Sequence, residues 1–325
     1  MTYTDRQTEI FSQLPPMEKQ ILIAVDGSIY SSQSLKYVAL LFGDNPDIHF
    51  HLMTFISASE SIVPMAADSR NSLFPVNPGV ERKRQKAQRC LQKAMNKLLD
   101  LQIPAERIHS SVEISGPDIG STIQLQAEHL LMDSILVGRR GLNTLSEILL
   151  GSISATLLKK CHRIPLWIID GEIENRNFLA PVDGSLPSMV AIDHLAHIME
   201  GQKDITIFLF HCHRFLEKKS EARPESFYQV WGKKWCDIHL SGDDHLFQGP
   251  TQLLVEAGIP ESNIIILPEV PDLEAAHGIL RQAHKHQCGT IVIGRRGDGT
   301  TKGILGGVSD RTVKHAQDIA LWVVG

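Results

Sequence analysis

Short apolar runs along the chain alternate with stretches whose apolar residues return every three or four positions. The runs "QILIAV" (20–25), "IHFHLMTF" (48–55), "IHSSVEI" (108–114), "SILVG" (134–138) and "PLWIID" (165–170) have the length and β-branched content of strands. The spacing between them predicts helices over roughly 29–43, 80–100, 118–130 and 152–161. Leu35, Val38, Ala39 and Phe42 make one buried stripe, and Ala87, Cys90, Leu91, Ala94 and Leu98 a second. Strands that alternate with helices require right-handed crossovers, which put helices on both faces of a parallel sheet. The fold class is therefore α/β, doubly wound, with about five parallel strands per unit.

The same pattern occurs twice. "ILIAVDGS" at 21–28 returns as "FLAPVDGS" at 178–185, so that Asp26 and Asp183 stand 157 residues apart. "DIHFHLMTF" at 47 and "DITIFLFHC" at 204 keep that offset; Pro104 and Pro260, like Gly138 and Gly294, are offset by 156, and Trp167 and Trp322 by 155. A register that drifts by two residues over so many elements marks a duplicated domain rather than a solenoid. The expected division is a tail over 1–18, a first domain over 19–170, a linker over 171–177 and a second domain over 178–325. Two polar segments, 57–80 and 216–250, read as surface excursions: variable loops, or lids at the sheet's carboxyl edge.

A formal charge of −5 with both signs mixed gives no broad cationic field for nucleic acid or an anionic membrane. The amino-terminal stretch has no apolar signal core, and no run reaches the roughly 18 apolar residues of a membrane span. Five scattered cysteines without CxxC spacing suit reduced thiols, so the expectation is a soluble, cytoplasmic chain. The pairs His49/His51 and His211/His213, and the run His284, His286, Cys288, offer partial metal geometry without four converging ligands. The two pairs occupy different positions in the repeat, and no metal site is assigned.

"SILVG" opens "VGRRGLNTLSEILLGS" (137–152), in which Gly138, Gly141 and Gly151 precede a helix beginning at Ser152. Strand ends in an open parallel sheet are where ligands bind. Glycines there allow close backbone approach and unusual turns, and a helix start supplies free amides suited to phosphate. The bland alternative is a tight turn with a helix cap. Arg139 and Arg140, repeated as Arg295 and Arg296, either neutralise phosphate or lie solvated at a loop tip. No G-x-x-x-x-G-K-[ST] occurs, and "GDGTTKG" (297–303) is one residue too long for a dinucleotide fingerprint.

G-x2-G-x9-G-S following a strand-one "VDGS" resembles the universal stress protein family, and the similarity extends over both halves, as in tandem members with two such domains in one polypeptide. The resemblance implies Rossmann-like domains that bind ATP, an adenine nucleotide held by both side chain and main chain. It places Asp26 near the adenosine end, Phe55 beside the base, and Val137, Gly138, Gly141, Gly151, Ser152, Ile153 and Ser154 around ribose and phosphates. A second candidate site comprises Asp183, Gly294, Gly297, Gly306, Gly307 and Ser309, with eight residues between Gly297 and Gly306 instead of nine, and Gly307 in place of Ser152. The resemblance further implies an internal pseudo-dimer joined through "PLWIID" and "ALWVVG", open to a further homodimer. No catalytic base is named, so the alternatives are a slow ATPase needing Mg²⁺ and a stress scaffold binding a protein or another ligand.

Overall fold

The computed structural model describes residues 18–57, 78–116, 118–141, 150–213, 224–242, 245–271, 274–295 and 307–325. The first half runs β1 (Lys19–Ala24), α1 (Ile29–Phe42), β2 (Ile48–Ser57), α2 (Pro78–Asp100), β3 (Ile108–Ser115), α3 (Ile119–His129), β4 (Ser134–Gly138), α4 (Ser152–Lys160) and β5 (Leu166–Ile169). The second runs β6 (Asn177–Pro181), α5 (Leu186–Ile198), β7 (Thr206–Phe210), β8 (Cys212–His213), α6 (Tyr228–Trp231), α7 (Lys233–His239) and α8 (His245–Glu256). It continues through β9 (Ile264–Ile266), β10 (Val270–Pro271), α9 (Ala275–Lys285), β11 (Thr290–Gly294), α10 (Val308–His315) and β12 (Ala320–Val324).

Ten strands make one sheet in the order β3-β2-β1-β4-β5-β12-β11-β6-β7-β9. Counted within its own half, each side of this sheet repeats the order 3-2-1-4-5 outward-in, and every neighbouring pair is parallel except β5 with β12. β8 and β10 form a separate parallel pair. The strands alternate their side chains between two cores. Ile21, Ile23, Phe50 and Leu52 face α1, α2, α5, α7 and α8, while Leu22, Ile135 and Val137 face α3, α4, α9 and α10. Each core draws buried residues from both halves.

Trp167 and Trp322 lie opposite one another where β5 meets β12, with rings stacked 4.0 Å apart at 3°. Each buried indole N–H reaches an acceptor in the opposite half. Trp167 donates to His194 Nε2 at 3.2 Å, which Ser134 Oγ also approaches at 3.3 Å. Trp322 donates to Tyr37 Oη at 2.8 Å, and Tyr37 pairs with Thr290 at 2.9 Å. Tyr37 and His194 are equivalent positions of the repeat, as are Thr290 and Ser134, so the seam has approximate twofold symmetry with different side chains at both pairs.

The repeated "VDGS" is a strand-to-helix turn. Gly27 and Gly184 take φ of +81° and +73°, and Ser28 and Ser185 then cap α1 and α5 by accepting from Ser31 N and Ser188 N.

The surface excursion expected over 216–250 needs correcting. Residues 58–77, 214–223 and 243–244 lie outside the described residues, but 224–242 and 245–256 are largely helical. Phe227, Cys236 and Leu240 are buried in the core beneath α5. Phe227, Trp231, Trp235 and His239 meet ring against ring in tilted pairs at four-residue spacing. That helical period was concealed by Gly232, which breaks the segment at φ +78°, and by the charged residues between the rings. Among the described residues, no helix is long and apolar enough to cross a membrane.

Candidate functional site

Val25 N donates to Met53 O at 2.8 Å, so the β1 ladder ends by delivering Asp26 to the carboxyl edge of the sheet. Asp26 Oδ1 accepts from Ser28 N at 2.9 Å and from Ser31 Oγ at 2.6 Å, which fixes the carboxylate. Its Oδ2 is turned toward Gly141, where an added Cβ would stand only 2.7 Å away. Glycine is therefore the residue that lets the β4 loop close against this carboxylate. Cys90 Sγ flanks the same turn, 3.1 Å from where a Gly27 Cβ would be, and burial followed by the nearby Asp26 charge raises its thiol pKa.

β4 arrives beside β1, and Arg139 N extends its ladder to Ile169 O at 2.8 Å. Residues 142–149 lie outside the described residues. The chain returns at Gly151, whose N–H donates to Arg139 O at 2.8 Å, and Ser154 Oγ donates to Gly138 O at 2.9 Å. These two bonds hold the start of α4 against the end of β4. Gly151 is the N-cap of α4, no side chain caps that end, and its first turn carries no acidic residue. The opening amides of a helix lack partners within it and sit at the positive end of its dipole. Ser152 is exposed at this position, Ile153 half-buried and Ser154 buried. Asp26, Gly138, Gly141, Gly151, Ser152, Ile153 and Ser154 are thus gathered at one sheet edge.

Three residues sit differently from the sequence expectation. At Gly138 a Cβ would lie 2.6 Å from Tyr30 Cβ, so the close approach it permits is by α1 of the same half rather than by a ligand. Val137 is buried in the core beneath α3 and α4, and Phe55 packs half-buried against that core with Glu113 as its β3 neighbour. Either could reach a ligand only near the strand end.

Residues 17–170 match the model of the universal stress protein family. This first half belongs to the universal stress protein family. A universal stress protein from Archaeoglobus fulgidus DSM 4304 has a similar fold, with a TM-score of 0.61 at 16% identity over 95% of this chain and 96% of that one. A functionally unknown protein from Pseudomonas aeruginosa PAO1 aligns with a TM-score of 0.53 at 16% identity, covering 94% of this chain and 92% of that chain. No curated protein matches the chain.

The second half of the chain keeps the turn and changes the cradle. Asp183 Oδ1 accepts from Ser185 N at 3.0 Å, but Ser188 Oγ donates to Ser185 O at 3.0 Å, and Asp183 is exposed. A Cβ at Gly294 would strike Pro187 O at 2.1 Å, the counterpart of the Gly138 contact. Gly307 is the N-cap of α10, Ser309 follows half-buried, and Asp310 places a negative charge in the first turn where α4 has none. Gly297 and Gly306 lie outside the described residues.

Neither arginine of the first loop stands toward the α4 cradle. Arg140 lies over the Tyr30 ring at 5.1 Å and 3.5 Å from Asp170. Arg139 is 2% exposed and donates to Lys314 O and Ala316 O in the other half. Burial raises the pKa of Asp170, an effect that Arg139 and Arg140 oppose. The doublet gave no sequence signal for a role between the halves.

The paired histidines hold local bonds: His51 Nε2 pairs with Gln20 Oε1 at 2.6 Å and His211 Nδ1 donates to Val182 O at 2.7 Å. The side chain of His213 lies outside the described residues. Among the described residues, no three His, Cys, Asp or Glu side chains converge as a metal site.

Proposed function

We propose that the chain is a stress-response module that binds ATP, with its stronger site in the first half. The observation that carries this reading is the closure of Asp26, Gly141 and the uncapped start of α4 on one another at the carboxyl edge of β1 and β4. Ser28 and Ser31 fix the Asp26 carboxylate at the sheet edge, where its charge suits a ribose or adenine donor. The amides of Ser152, Ile153 and Ser154 suit the phosphates. Family membership favours the same reading. The second site of Asp183, Gly294, Gly297, Gly306, Gly307 and Ser309 is proposed as weaker, because Asp310 opposes an anion at the α10 start.

The test is calorimetric titration of ATP into nucleotide-free protein. Ser152 is exposed, so Ser152→Asp adds a charge to the cradle without disturbing the core. An acidic residue in the first turn favours the helix while repelling phosphate, so affinity should fall about tenfold or more with the melting temperature held or raised. Asp26→Asn should weaken binding as well. Unchanged affinity in both variants would refute the site.

A further inference from the structure

Arg139 and Arg295 follow Gly138 and Gly294 directly and are 2% and 8% exposed. A buried guanidinium needs partners, and these two find them in opposite halves. Arg139 donates from Nη1 to Ala316 O at 2.7 Å and from Nη2 to Lys314 O at 3.0 Å, which are carbonyls at the end of α10. Arg295 Nη1 donates to Leu158 O near the end of α4. Helix C-termini present unpaired carbonyls and the negative end of the dipole, so both contacts are of the favourable sign.

The main chain of Arg139 holds something else. Its carbonyl accepts from Gly151 N at 2.8 Å and so positions the head of α4 in its own half, while its side chain grips the tail of α10 in the other. α10 in turn begins at Gly307, the head of the second cradle, and α4 ends at the carbonyl held by Arg295. α4 is therefore fixed at its head by its own loop and at its tail by Arg295 of the other half, while α10 is held at its tail by Arg139. α4 spans roughly 13 Å at 1.5 Å per residue, a short rigid rod between two such fixings.

We propose that Arg139 and Arg295 are positioning residues that couple the two cradles, so that nucleotide on one half stiffens the phosphate-facing helix of the other. The proposal rests on the nucleotide reading above. Phosphate on the start of α4 would immobilise Gly151 and the Arg139 main chain bonded to it; the guanidinium then loses freedom and α10 loses it too. A ligand can bias a second element only through such a differential contact, and the resulting coupling is reciprocal.

Hydrogen exchange tests this in a chain whose second cradle is filled by Gly307→Val. Among the described residues, a Cβ at Gly307 meets nothing nearer than Ser309 Oγ at 3.9 Å, which leaves room for the larger side chain at the helix head. In that background ATP should slow exchange both in α4 and at residues 312–316, the far end of α10. Adding Arg139→Met should keep the protection of α4 and abolish that at 312–316. Arg139→Gln serves the same purpose if the methionine variant does not fold, and protection of α4 reports an intact first cradle in either. Protection at 312–316 that persists without Arg139, or that never responds with Arg139 present while α4 does, overturns the coupling. Silence of α4 itself overturns the nucleotide reading, and the coupling with it.

Discussion

A Cβ at Gly138 would stand 2.6 Å from Tyr30 Cβ, whereas one at Gly141 would stand 2.7 Å from Asp26 Oδ2. The two glycines belong to one motif, yet the first seats a helix and the second admits a carboxylate. Gly138→Ala should therefore cost stability, about 1–3 kcal/mol as for other overpacked sites, while the folded fraction keeps its ATP affinity. Gly141→Ala should displace Asp26 and weaken ATP binding; melting curves alongside titrations separate the two effects. His194 makes a different prediction. Burial lowers its pKa to about 3 from 6.5. The unfolded chain takes up a proton near pH 6.5 that the folded protein refuses until about pH 3, so stability is full above 6.5 and declines as pH falls through that window. His194→Gln keeps an acceptor for the Trp167 N–H and should flatten this slope in urea titrations at pH 7.5, 5.5 and 4.5. An unchanged slope would mean that other groups, His51 among them, set the acid limit.

At the scale of elements, the repeated "VDGS" was legible because a positive φ demands glycine and a helix start favours serine, so local chemistry alone writes the turn. The region 216–250 was not legible in the same way. Its apolar positions are aromatic rings spaced by four residues among lysines and acids, and what makes them core is the α5 surface they meet. Phe227→Ala should cost about 3–5 kcal/mol, as expected for truncating a buried ring. A chevron or equilibrium denaturation measurement reads this directly; an effect below about 0.5 kcal/mol is what a mere surface loop would give.

For the whole molecule, the antiparallel pairing of β5 with β12 merges two parallel sheets into one and lets each core draw on both halves. Trp322 is fully buried at that seam against Trp167, Phe178 and Tyr37. Trp322→Ala should destabilise the protein by about 3–5 kcal/mol, and because both cores are shared, unfolding should stay a single transition in which α1 and α5 melt together. Two separate transitions, followed by circular dichroism and tryptophan fluorescence, would contradict a shared core. The sequence by itself determined the strands and helices of the first half and the family motif with Asp26 and the glycines, since each rests on periodicity, turn chemistry or spacing within a few dozen residues. Tertiary structure alone decided the rest: that Gly138 packs on Tyr30, that Phe227 and Leu240 build core, and that Arg139 crosses to α10. Those outcomes depend on which surfaces meet across roughly 30 to 180 positions of chain, and no local pattern encodes the partner of a buried arginine.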